Sequence, residues 1–321
     1  MKIAFFEVPQ DKEAYFKEAL AGEEISFYRE KLSKDNVDSA KDADIISEFT
    51  SSKVTKDIID LLPNLKLVAA RSTGFDHIDV EHAHGKGIQV SNVPAYGSVT
   101  VAEFTFALLL TLSRKIREGS EVLRKSGVFS VPKETQGFDL EGKTLGIVGT
   151  GKIGKNVIKF ARAFGMNVLA YDLHPDLEFV KQNNFENNFE YKTLPEVLSG
   201  SDIVTLHAPY TKENHHLINK ENISQMKKGA YLINTARGEL VETSALVSAL
   251  QSGAIAGAGL DVLEGEREIK KGDISPLLEM PNVIITPHIA FNTLEAEMRI
   301  MQTTVENIKN FLAGNPSNLV K

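Results

Sequence analysis

The chain is 321 residues long and 42% hydrophobic, with 36 Lys and Arg against 43 Asp and Glu, a formal net charge of −7. That length is enough for about two ordinary domains, and the mildly acidic balance gives no electrostatic reason to expect a nucleic-acid partner. The sequence has no cysteine, which excludes a disulfide frame, a thiolate nucleophile and a cysteine-built metal site, and fits a reducing cytoplasm.

The chain opens Met1-Lys-Ile-Ala-Phe-Phe-Glu7. Glu7 interrupts the apolar run too early for a signal-peptide core, so a first strand over 2–8 is predicted. Further short apolar runs at 25–28, 44–47, 67–71 and 88–91 read as strands, with an amphipathic helix at 11–20 between the first two. The most apolar helix candidate, 99–112, contains Glu103, and its longest unbroken apolar run is Phe106 to Leu110, far below a membrane span. Strands follow at 144–148, 167–171, 203–206, 230–234, 256–261 and 283–286, with Asn183 to Asn188 a polar connector and a last helix at 293–312. Strands alternating with helices predict parallel sheets covered by helices. Eleven strands exceed one comfortable open sheet, so two α/β domains are expected. Asn92-Val-Pro-Ala-Tyr-Gly-Ser98 is the first crossing. If 293–312 returned to the first domain, that domain would be discontinuous; pattern alone leaves this open.

Gly149-Thr-Gly-Lys-Ile-Gly154 lies between a strand and a helix, and Asp172 ends the next strand, 18 residues beyond Gly154. Glycines at these positions permit a tight turn, close approach to a pyrophosphate and helix-on-strand packing, while the helix N-terminus offers unpaired N–H groups. A carboxylate at the place of Asp172 suits the hydroxyls of an adenine ribose. Its charge repels a 2′-phosphate, and Leu173 and His174 bring no arginine to receive one, so NAD rather than NADP is the expected cofactor.

Other polar residues stand just beyond strand ends, where open α/β sheets bind ligands. Arg237 follows one strand, Asp261 and Glu266 another, His288 a third. An Arg fork grips a carboxylate bidentately, and a histidine exchanges protons near neutral pH. Each also has an ordinary reading: Arg237 as a helix cap, Glu266 as part of the charged run Glu264-Gly-Glu-Arg-Glu268, His288 as a structural histidine. His207 ends a strand near the expected cofactor crevice. His77, His82 and His84 lack an acidic ligand pattern, so no metal site is expected, and His215 and His216 read as solvent-facing in a polar loop.

Seven blocks, in this order, resemble the D-isomer-specific 2-hydroxyacid dehydrogenases over nearly the whole chain. They are Leu65-Lys-Leu-Val-Ala-Ala-Arg-Ser-Thr-Gly-Phe-Asp-His-Ile-Asp79, Val90-Ser-Asn-Val-Pro-Ala-Tyr96, Leu145-Gly-Ile-Val-Gly-Thr-Gly-Lys-Ile-Gly154, Leu206-His-Ala-Pro209, Leu232-Ile-Asn-Thr-Ala-Arg-Gly238, Gly259-Leu-Asp-Val-Leu-Glu-Gly-Glu266 and Thr286-Pro-His-Ile-Ala290. Within the family, Tyr96 and His288-Ile-Ala-Phe291 resemble the D-lactate dehydrogenase branch. The resemblance implies two Rossmann-like parallel-sheet domains, an outer substrate domain from 1–98 and 291–321 and an NAD-binding domain over 99–290. It makes Arg237 the substrate clamp, Glu266 the partner of the histidine and His288 the acid/base. The amides of Thr73 and Gly74 would hold the substrate carboxylate and Tyr96 line its pocket. Lys152 and Ile153 would lie at the pyrophosphate beside Gly149, Gly151 and Gly154. Asp172 would take the ribose, and Ala208, Pro209, Asn214, Thr235, Ala236 and Asp261 would border the rest of the cofactor, with His207 a further candidate. A homodimer formed through the segment after Ser98 is likewise implied. One departure is Phe104, where many relatives carry histidine after Ala-Glu.

The expected reaction is NAD-dependent reduction of a small 2-oxo acid, pyruvate first, to the D-2-hydroxy acid, with His288 giving the proton. Glyoxylate, phosphoglycerate, a longer branched ketoacid or formate are alternative substrates, and a non-catalytic NADH-sensing protein is the alternative class.

Overall fold

In the computed structural model, which describes residues 1–266, 269–270 and 275–320, twelve short strands form two parallel sheets. The chain divides into two units, Met1–Tyr96 with Thr293–Lys321, and Gly97–Asn292. Among the described residues no helix is long and apolar enough to cross a membrane.

The first unit holds β1 (Lys2–Phe5), β2 (Glu24–Phe27), β3 (Ile45–Glu48), β4 (Leu67–Ala70) and β5 (Gln89–Ser91) in the order β2-β1-β3-β4-β5. Every position of β3 and β4 is buried, as a central parallel strand covered on both faces requires. Alternation sends Ala4, Ile46 and Val68 to one face, against Ile58, Ile59 and Leu62. It sends Ile3, Phe5, Ile45 and Leu67 to the other, against Phe16, Met301, Val305 and Ile308. The last three belong to the helix Leu294–Leu312, whose buried Ile300, Met301, Thr304, Val305 and Ile308 share one helical stripe. The last helix therefore does return, and this unit is built from both chain ends. β1 stops at Phe5, short of the predicted 2–8, and Glu7 takes φ 56°, a left-handed conformation that a strand cannot continue through.

The second unit holds β6 (Thr144–Val148), β7 (Asn167–Tyr171), β8 (Phe189–Tyr191), β9 (Ile203–Leu206), β10 (Ala230–Asn234), β11 (Ile255–Leu260) and β12 (Val283–Ile285), in the order β12-β11-β10-β9-β6-β7-β8. Strand order reverses at β6 and β9, the switch point where such sheets open a crevice. β8 was not legible in the sequence. It is a three-residue edge strand with one fully buried residue, preceded by Asn184 and Asn188 at positive φ. So short and half-wet a segment carries almost no alternation signal.

Candidate active site

Parallel register assembles the site in the second unit. Val148 pairs with Tyr171 and with Leu206, Leu206 with Asn234, Asn234 with Leu260, and Leu260 with Ile285. The next residues along each strand, Gly149, Asp172, His207, Thr235, Asp261 and Thr286, consequently share one edge of the sheet, at its carboxyl ends.

The glycine turn fits a dinucleotide. Gly149 has φ 94°, and a Cβ on it would lie 2.6 Å from the Ala208 nitrogen. A Cβ on Gly154 would lie 2.1 Å from the Gly149 carbonyl oxygen, so the helix Lys152–Ala163 packs directly on the turn. A Cβ on Gly151 would meet nothing within 4 Å. Open space thus faces a helix N-terminus without a side-chain cap, where the N–H groups of Lys152 and Ile153 lie in the first turn.

Asp172 closes the turn. Its Oδ2 accepts from the Thr150 N–H at 2.6 Å and hydroxyl at 2.9 Å, and its Oδ1 from the His174 N–H at 2.8 Å. Burial works against its charge, but these donors win and hold the carboxyl below its ordinary value. A carboxylate has about four acceptor positions, which leaves capacity for ribose hydroxyls. The His207 ring bonds Thr205 Oγ1 through Nε2 at 2.9 Å, and its Nδ1 is buried without a partner. Burial pushes its pKa down to about 3, so the ring is neutral at working pH and no proton donor. Asn214 caps its own turn, accepting from the Thr211 N–H and donating to the Pro209 carbonyl. Thr235 shares a buried hydroxyl pair with Thr105 at 2.9 Å, and the Ala236 N–H donates to Asn234 Oδ1.

The same edge carries His288 paired with Glu266. His288 Nδ1 lies 2.5 Å from Glu266 Oε1, with 37% and 27% of the side chains exposed. The Glu266 Oε2 accepts from the Leu263 N–H at 3.2 Å. His288 has φ 54°, a conformation held by Asp261, which is 1% exposed. The Asp261 carboxylate accepts from Thr286 Oγ1 and from the N–H groups of Ile289 and Ala290. Burial raises its pKa against those bonds. This anchoring of the histidine loop is absent from the sequence reading, which placed Asp261 beside the cofactor. Arg237 follows β10 half-buried; its carbonyl accepts from Asn234 Nδ2 and its guanidinium donates to the Ala236 carbonyl. Arg267 and Glu268 of the charged run lie outside the described residues.

Thr73, Gly74 and Tyr96 belong to the first unit. There the Thr73 hydroxyl donates to the Val93 carbonyl, Asn92 Nδ2 to the Thr73 carbonyl and Ser72 Oγ to the Gly74 carbonyl, each within 2.8 Å. Arg299 Nε holds the Tyr96 carbonyl at 2.7 Å. Beneath the Thr73 turn lies a buried polar cluster missed in the sequence: His77 Nε2 and Glu48 Oε2 stand 2.8 Å apart, 1% and 0% exposed. Beside them Arg71 donates to Ser47 Oγ and to the carbonyls of Phe6 and Glu7. The Glu7 carboxylate collects the N–H groups of Phe49, Ser51 and Ser52. The available signal was Glu48 closing a strand that opens with Ile45 and Ile46. His82 pairs with Asp60 at 2.9 Å. His216, expected in solvent, is instead half-buried and bonds Glu264 at 2.6 Å.

Comparison with known proteins agrees with this geometry. The family model for the NAD-binding domain of D-isomer specific 2-hydroxyacid dehydrogenases matches residues 106–290. A glyoxylate reductase of Thermofilum pendens is 41% identical over 279 residues, 85% of this chain and 80% of that protein. A hydroxypyruvate reductase of Blautia hydrogenotrophica is 40% identical over 285 residues, 87% and 85% of the two chains. The D-lactate dehydrogenase of Aquifex aeolicus, solved with NAD and lactic acid, matches with a TM-score of 0.89 at 41% identity, over 98% of this chain and 96% of that one. The chain belongs to the D-isomer specific 2-hydroxyacid dehydrogenase family. It is an NAD-dependent oxidoreductase of 2-hydroxy and 2-oxo acids, and NAD is its cofactor.

Proposed function

We propose that the enzyme reduces pyruvate to D-lactate, with Arg237, Glu266 and His288 as its catalytic set. The observation that carries this reading is the His288–Glu266 pair, set on the sheet edge that also bears the glycine turn. Arg237 takes the substrate carboxylate as a two-pronged donor. Bound NADH supplies the hydride. As negative charge grows on the carbonyl oxygen, His288 delivers its Nε2 proton there, because Nδ1 is committed to Glu266. The Glu266 carboxylate fixes the orientation of the ring through Nδ1. Gly149, Gly151, Lys152, Ile153, Gly154 and Asp172 hold the pyrophosphate and ribose, with Ala208, Pro209, Asn214, Thr235 and Ala236 along the remaining edge.

Phe291 favours pyruvate over smaller or more polar acids. Its ring stands edge-on to His288 with centroids 6.4 Å apart, an apolar surface near the proton donor. A methyl group there is worth about 0.8 kcal/mol over the hydrogen of glyoxylate. The hydroxyl of hydroxypyruvate, left unpaired, costs about 1–3 kcal/mol. The two reductases named above favour glyoxylate or hydroxypyruvate as the second reading. Turnover of NADH with pyruvate, glyoxylate, hydroxypyruvate and a branched ketoacid, with chiral analysis of the product, tests the proposal. Highest kcat/KM on pyruvate giving D-lactate is expected; a higher value on glyoxylate overturns the substrate, and tight NADH binding without turnover of any acid would mark a sensor. We place the enzyme in the cytoplasm, on its lack of cysteine.

A second copy of the chain completes the protein. The helix Ile116–Ser126 has no buried residue, although it exposes Ile116, Val122 and Leu123, and beyond it Phe129 and Val131 are each 95% exposed. Within its unit the helix is held through Arg117, which donates to the carbonyls of Val283 and Pro281, and contiguous exposed apolar side chains mark an interface. We assign this stretch to a homodimer contact.

A further inference from the structure

His215, His216 and Glu264 each present one ligand atom within 4.8 Å of the others. The backbone makes this unusual. Consecutive side chains on an extended chain point to opposite sides, yet the imidazoles of His215 and His216 stack face to face, with centroids 3.8 Å apart and planes 26° apart. The cause is His216, whose φ of 52° turns its side chain back over its neighbour. A left-handed non-glycine residue costs about 1 kcal/mol or more, and such strain gathers at functional sites.

The carboxylate is aimed as well. The Glu264 Oε2 accepts from the Thr243 hydroxyl at 3.0 Å and N–H at 3.4 Å. That leaves Oε1 on His216 Nε2, 2.6 Å away. A ligand oriented by an outer hydrogen bond is a recurring feature of metal sites. His215 is exposed, so water can reach the remaining coordination positions.

From these positions we infer that His215, His216 and Glu264 bind one divalent transition-metal ion of the zinc class. Two neutral imidazoles and a carboxylate suit zinc, cobalt or nickel, whereas magnesium and calcium prefer oxygen alone. Ligands about 2.0–2.1 Å from a tetrahedral ion lie roughly 3.4 Å apart. Entry of the ion therefore displaces the proton shared by His216 and Glu264, parts the two by less than about 1 Å, and turns the exposed His215 ring out of the stack, since each imidazole lone pair lies in its own ring plane.

The site is independent of the substrate assignment, but it grips segments that carry catalytic groups. Glu264 stands one residue from Gly265 and two from Glu266. The His216 N–H donates to the Glu239 carbonyl at 2.9 Å. Gly238, which follows Arg237, packs so closely that a Cβ would lie 2.3 Å from the Glu264 nitrogen. The ion would thus clamp the 215–216, 238–239 and 263–266 segments to one another.

The test is titration of the untagged, chelator-stripped full chain with Zn²⁺ by calorimetry and with Co²⁺ by visible absorption. One ion per chain is expected, with roughly micromolar affinity, weakened at least tenfold in His215→Ala and in Glu264→Gln. Thermal unfolding of the wild type should rise with Zn²⁺, and that of His215→Ala should not. NADH turnover of His215→Ala without metal should match wild type, showing the variant folded. Binding weaker than about 1 mM in the wild type overturns the proposal. So does unchanged binding in both variants, which would place the ion elsewhere, for instance on His288 and Glu266.

Discussion

The peptide N–H of His288 donates to the carbonyl of Asp261 over 2.8 Å, while the Asp261 carboxylate holds the N–H groups of the next two residues. One buried residue at the end of β11 thus fixes both the left-handed turn at His288 and the chain beyond it. An asparagine at 261 keeps one acceptor but turns an amide N–H group toward a backbone donor. Asp261→Asn should lower kcat roughly 10²-fold, the effect expected when a catalytic group shifts by about 1 Å. Steady-state kinetics of a folded variant measure this; a kcat within a factor of two of wild type would show that the loop holds its place without the carboxylate.

The catalytic roles separate by kinetic signature. His288→Ala should cut kcat by about 10²–10⁴ with little change in KM for the 2-oxo acid. Arg237→Lys should chiefly raise that KM, by roughly 10- to 100-fold, because one ammonium cannot reproduce a bidentate fork. The reverse pattern would exchange the two assignments.

Legibility in the sequence followed periodicity and chain-local signals. The inner strands β6, β7, β9 and β10 could be placed to the residue, since buried parallel strands are uninterrupted apolar runs bounded by polar turns. The glycine turn and Asp172 were legible because their roles depend on spacing along one strand–helix–strand unit. What a sequence does not carry is the partner of a side chain far along the chain. Glu48 and His77 are 29 residues apart and Glu264 and His216 48 apart, so neither pair has a local mark. Asp261 could be seen at a strand end, but its commitment to 286–290 depends on β12 lying beside β11.

With Asp172 as the proposed ribose ligand, its charge governs NADH binding and the preference for NADH over NADPH. Burial opposes its charge, but the N–H groups of His174 and Thr150 and the Thr150 hydroxyl hold its pKa below the ordinary 3.8. A depressed carboxyl is charged, and contributes its stabilisation, above the unfolded value; that contribution is lost only as the pH falls through the folded one. The KM for NADH should therefore be flat from about pH 5 upward. Asp172→Asn should raise KM for NADH roughly 10- to 100-fold and narrow the discrimination against NADPH. A KM for NADH that falls between pH 5 and 7 would show that another group governs NADH binding.

Glu48 predicts the opposite slope. Burial drives its pKa above the ordinary 4.5, and the hydrogen bond with His77 offsets this only in part. Such a group binds its proton more tightly folded than unfolded. The stability it contributes is complete below about 4.5 and lost as the pH rises through the folded value. Glu48→Gln removes the titration while keeping an acceptor for His77. Urea unfolding at pH 5 and pH 8 should show the wild type losing stability relative to Glu48→Gln at the higher pH. Parallel curves would mean that the carboxyl does not change charge on folding.

Phe129 and Val131 test the proposed dimer contact. Burying each against a second copy is worth about 1.5–3 kcal/mol, and two-fold symmetry counts each side chain twice. Phe129→Ser with Val131→Ser should therefore weaken association by roughly 10⁴-fold or more, which light scattering would register as a monomer at micromolar concentration. The melting temperature of the wild type should rise with protein concentration, and that dependence should vanish in the double variant. A wild type that is monomeric across this range, or a double variant that remains a dimer, would remove these residues from the interface and leave the bare helix Ile116–Ser126 to be covered by some other partner.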